Sequence, residues 1–117
     1  MDIEAKIIDY LRTALRTEDV YGEIPDTQPE EYYVIDKTGS ATENLICTST
    51  VAIQSYAGSK ARASELNEGV KAAMEDFMFQ EDISDCHLNT DYNFSNIAKK
   101  QHRYQAVFEI THYQEED

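Results

Sequence analysis

The chain has 117 residues, enough for one domain around a single core and too few for two. Hydrophobic residues make up 41% and charged residues 28%, a balance that excludes a disordered chain. Acidic residues outnumber basic ones 23 to 10, and a formal charge of -13 excludes a protein that grips DNA with its whole surface.

The first predicted element is a helix. Ile3, Ile7, Ile8, Leu11, Ala14 and Leu15 recur at the three-and-four spacing that puts apolar side chains on one stripe. Asp2 is placed to cap it, Glu4 lies in the first turn, and Arg12 and Arg16 fall near its C-terminal end, as the helix dipole favours. A short extended segment over 19–24 stops at Pro25, and residues 25–31, with both prolines, form a loop. Tyr32-Tyr33-Val34-Ile35-Asp36-Lys37 is rich in strand formers. The polar stretch Thr38-Gly39-Ser40-Ala41-Thr42-Glu43-Asn44 is expected to be a loop, joining that strand to another over 45–56 in a long-looped hairpin. On the second strand Val51, Ile53 and Ser55 share one face, and Ala52, Gln54 and Tyr56 the other.

After Ala57 and Gly58 a second helix is expected, capped by Ser59, with Ala63, Leu66, Val70, Ala73, Met74 and Phe77 as its apolar stripe. Lys60, Glu65, Glu68, Lys71 and Glu75 form its solvated face. Met74, Met78, Phe77 and Phe79 could form a sticky partner-binding end, but at helical spacing they are read first as core. The chain is extended again over 83–94, turns at Ser95-Asn96-Ile97-Ala98, and ends in a strand over 103–113. Tyr104, Ala106, Phe108 and Ile110 lie on one face of that strand; Val107, on the other, suggests that the polar face is partly covered. Glu115-Glu116-Asp117 reads as a frayed acidic tail within 114–117. The order helix, strand, strand, strand, helix, strand, strand implies an α+β fold over 1–117: a mainly antiparallel sheet with two helices packed on one face, a two-layer sandwich.

Reactive constellations are not evident. There is no GxSxG elbow, P-loop or GxGxxG, and the four glycines are isolated. Cys47 and Cys86 are far apart and read as small buried hydrophobes, and no metal-ligand spacing joins them to His87, His102 or His112. Cys86 and His87 should face opposite sides of a strand. Asp85, Glu81 and Asp82 near His87 could be assembled into an acid–base pair only with a pocket to support them. The expectation is a non-enzymatic protein with no catalytic, metal or cofactor-binding residues. Acid in Met1-Asp2-Ile3-Glu4-Ala5, where a secretory leader carries positive charge, and the lack of an apolar run of about 18 residues point to a cytoplasmic protein without membrane contact. Lys99-Lys100-Gln101-His102-Arg103 is the local basic exception, either a solvated turn or a docking patch for an acidic neighbour. Eight tyrosines and no tryptophan fit interface use and ordinary strand propensity equally well.

A first helix, an acidic proline-containing turn and the strand Tyr32-Tyr33-Val34-Ile35-Asp36-Lys37-Thr38-Gly39 are followed by Val51-Ala52-Ile53-Gln54-Ser55-Tyr56-Ala57, which runs directly into a helix with Ala63 and Leu66. The closing strand contains Arg103-Tyr104-Gln105-Ala106. In this order, across nearly the whole chain, the sequence resembles the tail-terminator and head–tail joining proteins of long-tailed phages and prophages. The resemblance implies a structural virion protein at the head-proximal end of the tail, assembled in the host cytoplasm. Such proteins form a homo-oligomeric ring, commonly a hexamer, that caps the tail-tube protein, stops its polymerisation and docks the head connector or neck protein.

A ring needs head-to-tail contacts that close by rotation. Thr38, Ser40, Thr42, Glu43 and Asn44 are candidates to reach a neighbour, and Lys99, Lys100 and Arg103 are candidates for a docking patch. The acid excess suits a channel through which DNA passes without specific binding. The alternatives are a head-closure or neck adaptor protein and, outside phage, a cytoplasmic α+β binding module.

Overall fold

The computed structural model describes residues 2–113; the expected acidic tail lies outside them. Helix α1 (Ile3–Ala14) starts where Asp2 Oδ1 accepts the backbone N–H groups of Glu4 and Ala5 at 3.0 and 3.3 Å. These are two of the donors that a helix start leaves without an internal partner. Ile3, Ile7 and Leu11 form its buried stripe. Arg12 is in the last turn, and its Nη2 donates to the Val20 carbonyl at 2.8 Å, tying the helix to the next element. Arg16 lies past the helix, in a left-handed conformation with φ of 55°.

Strand β1 (Val20–Tyr21) is shorter than the extended segment expected over 19–24. It pairs in parallel with β2 (Tyr32–Glu43) only at Tyr33 and Val34. β2 pairs antiparallel with β3 (Ile46–Ala57) along nearly its whole length. Helix α2 (Lys60–Glu75) opens at Ser59, whose Oγ accepts the Arg62 N–H at 3.2 Å. A single tight turn (Phe77–Phe79) leads into β4 (Ile83–Asn93), and β5 (His102–Tyr113) follows. The sheet order is β1-β2-β3-β5-β4. β3 and β4 are both antiparallel to β5, so they are parallel to each other with β5 lying between them. α2 carries the chain across that gap.

Both helices cover one face, as an α+β two-layer sandwich requires. Ile7 and Leu11 from α1 meet Ala63, Val70 and Met74 from α2 in one core with Ile35, Val51, Ile53, Ala106, Phe108 and Ile110 from the sheet. Fully burying a side chain of this size stabilises the fold by about 1.5–3 kcal/mol. Of the four large residues at the end of α2 that the sequence put in the core, Met74 and Phe77 are there. Met78 and Phe79 are not, and Phe79 is 76% exposed. The tight turn has three residues per turn, so it points its successive side chains apart.

The largest departure from the sequence reading is at residues 38–44. The expected loop is strand as far as Glu43, and the hairpin closes through Asn44 and Leu45 alone. β3 is held on its other side by β5 as far as the pair Ile46↔Tyr113, so its backbone stays extended and offers β2 a full ladder. Thr38, Ser40 and Thr42 suit that ladder because a β-branched or small polar side chain fits a pleated, solvated surface. One irregularity, between Lys37 and Gly39, places Thr38 outside the regular pairing.

Candidate assembly surfaces

Two surfaces stand out, one at each end of a molecule 44 Å long. The first lies where β2 and β5 begin. On the sheet face away from the helices, Arg103 Nη1 donates to the Tyr56 hydroxyl at 3.1 Å, and Tyr56 donates to Gln54 Oε1 at 2.7 Å. Gln54 Nε2 then donates to Gln105 Oε1 at 2.8 Å, and Gln105 Nε2 to the Tyr92 hydroxyl at 2.6 Å. All these donors point one way, from Arg103 on β5 to Tyr92 on β4. Tyr32 stacks on Tyr56 with ring centres 4.5 Å apart and planes 6° apart, and Tyr21 meets Tyr32 edge-on at 6.5 Å. The Arg103 guanidinium sits over Phe94 at 4.4 Å and also within reach of the Tyr56 ring at 5.7 Å. This row crosses all five strands, and it accounts for the burial of Tyr32 and Tyr56 on the face that carries no helix.

The row floors a cleft of about 680 Å³ between the loop carrying Ile24, Pro29 and Glu30 and the β4–β5 turn carrying Lys99, Lys100 and Gln101. Lys99, Lys100 and Arg103, singled out from the sequence, are brought together here with His102, and Glu30 is the acid that faces them. Lys100 adopts a left-handed conformation with φ of 51°, and Asn96 and Gln101 bridge the base of the turn with N–H···O bonds of 2.8 and 3.0 Å. The Tyr32 hydroxyl is buried at the cleft and has no hydrogen-bond partner; Gln101 lies near it without bonding geometry. Burial raises that hydroxyl's pKa above its ordinary value.

The second surface is the far end of the β2–β3 hairpin. Every residue from 36 to 46 is exposed, because this half of β2 is the open edge of the sheet and leads directly into the turn. Thr42, Glu43 and Asn44 line a shallow concavity there with Ala41, Ile46 and Thr48. Thr38, Ser40, Thr42, Glu43 and Asn44 are thus grouped together, and they lie at the opposite end of the sheet from Lys99, Lys100 and Arg103. Along residues 35–43 the outer edge of β2 has no neighbouring strand among the described residues.

Sequence reasoning missed Leu45, 69% exposed at the hairpin tip, and the exposed Ile46 and Tyr113 paired beside it. Asn44 and Leu45 both have positive φ, 51° and 68°. Such a two-residue turn ordinarily carries Asn-Gly, so the missing glycine hid it.

His87 lies on the helix-free face, between Asp85 at 3.3 Å and Glu109 at 3.5 Å; His87 and Asp85 are exposed and Glu109 is half-buried. Cys86, on the opposite face, is buried. No three His, Cys, Asp or Glu residues converge to hold a metal ion among the described residues, and no described helix is long and apolar enough to cross a membrane. No protein-family model and no curated protein matches the chain. Its two ends therefore have to be read from their own chemistry.

Proposed function

We propose that this chain is a structural virion protein that forms a ring on the end of a phage tail tube and joins it to the head connector. The observation that carries this reading is the exposed β2–β3 hairpin, with an open strand edge and Leu45, Ile46 and Tyr113 at its end. Apolar side chains grouped at one end of a sheet, beside an open strand edge, suit a protein that works by contact. The ladder that stiffens the opposite face suits a part that must keep its shape while neighbours bind it. The acid excess fits a channel that passes DNA without holding it.

The test is the solution mass of the purified protein across concentration, by light scattering, with and without a phage tail-tube protein. Rings seen in negative stain, alone or on addition of tube protein, are expected. A head-closure or neck adaptor would form rings but bind portal instead of tube. The cleft above Tyr32 and Tyr56 favours a second reading, a cytoplasmic binding module. A fixed dimer indifferent to tube protein would support that module over the ring.

A further inference from the structure

The two ends of the molecule complement each other in charge. Residues 38–59, 72–98 and 104–117 contain no lysine or arginine, and the end with the hairpin tip is built from parts of these segments. The charged side chains described there include the acids Glu43 beside the tip, Glu75 and Asp76 where α2 stops, and Glu81 and Asp82 where β4 begins, all of them exposed. The C-terminal end of α2 adds the negative pole of its dipole. At the other end the β4–β5 turn presents Lys99 and Lys100, beside Arg103 on β5, with only Glu30 against them among the acids that line the cleft.

The ends also match in apolar exposure. Leu45 is 69% exposed at the tip; Ile24, also exposed, lines the cleft, and Ile97, 89% exposed, lies just outside it on the turn that carries Lys99 and Lys100. Leu45 holds a left-handed backbone that favours glycine, a local cost with no return inside the molecule. The tip, Asn44 and Leu45, stands just past the last β3–β5 pair, Ile46↔Tyr113, with an apolar residue at its apex and an acid behind it. The cleft has the form of its receptor, and its tyrosine floor is already stacked and closed, which leaves no free aromatic face for a nucleic-acid base.

From this geometry we infer that the hairpin tip of one copy docks in the Lys99–Lys100–Arg103 cleft of the next, Leu45 packing against Ile24 and Ile97 while Glu43 faces the lysines. The occupant is a second copy of this chain. Tip and cleft lie at opposite ends of one molecule, so the contact forms only between copies and uses two different surfaces. It is a heterologous contact, the kind that closes into rings or extends into filaments. This deepens the ring reading and rests on it for the closure, but the contact itself is testable alone.

Two variants separate the surfaces. Lys99→Glu/Lys100→Glu spoils the cleft with exposed substitutions, and Glu43→Lys/Leu45→Gly spoils the tip while relieving its backbone. Light scattering of the wild type is expected to show species larger than a dimer. Each variant alone is expected to be a monomer. An equimolar mixture is expected to stop at a dimer, because the cleft variant still has a tip and the tip variant still has a cleft. A mixture that remains monomeric, or a cleft variant that assembles like the wild type, overturns the inference. A tip variant that dissociates while the cleft variant stays a dimer would mean tip-to-tip pairing and would also overturn it. A wild type monomeric at its highest soluble concentration sinks the contact too, and rings formed by that monomer on tube protein would leave the ring reading standing.

Discussion

Single side chains set several properties of this molecule. Burial pushes the Cys86 thiol from its ordinary 9.0 up to about 12, helped by the negative charge of neighbouring Asp85. The folded protein therefore keeps this proton up to about pH 12, whereas the unfolded chain loses it near pH 9. Deprotonation between those values favours the unfolded chain, so stability should fall as pH rises above 9, by at most about 1.4 kcal/mol per pH unit from this group. The partly buried Tyr10 and the buried Tyr32 and Tyr33, whose hydroxyls burial also shifts upward, add to the loss at higher pH. Urea midpoints at pH 8 and pH 10 should converge for Cys86→Ala relative to the wild type; an unchanged drop would show that Cys86 does not contribute. Core positions were the most legible residues in the sequence, because Ile7, Leu11, Val70 and Ile53 follow the periods of their elements. Tyr32 and Tyr56 were not legible, since nothing in an alternating pattern says that outward tyrosines will stack and bury each other.

At the scale of elements, the hairpin turn is where local preference and structure disagree. Glycine at position 45 would adopt the observed φ of 68° without the clash that Cβ makes. Leu45→Gly should therefore raise stability by about 1 kcal/mol, read as a higher urea midpoint with an unchanged slope. Measured where both proteins are monomeric, a lower midpoint would mean that Leu45 packs within its own molecule. Both helices and the strand order along the chain were readable, because caps at Asp2 and Ser59 and apolar stripes are local signals. The extent of β2 was not readable. Thr38 to Glu43 become strand because β3 beside them is held by β5, a partner some 60 residues further along. The sequence-level candidates at 38–44 and 99–103 were legible as polar and basic stretches, but their separation to opposite ends depends on that same tertiary pairing.

For the whole molecule, the sheet is unevenly secured. β3 and β5 are paired on both sides, whereas β4 and most of β2 are paired on one. Amide hydrogen exchange should be slowest in residues 51–55 of β3 and 104–110 of β5, and much faster in residues 39–43 of β2. Uniform protection across the sheet would contradict this ordering. Assembly would alter the same pattern, because a hairpin seated in a neighbour gains protection at its tip.

The place of β5 has a further consequence during synthesis. β3 and β4 are both made before it, yet they cannot touch as neighbours, since the slot between them belongs to a strand not yet translated. A ribosome adding about 5–20 residues per second leaves an incomplete sheet waiting for its middle. The nascent chain therefore has no stable halfway form, and a message cut short before residue 102 would yield a polypeptide for proteases in place of a folded protein.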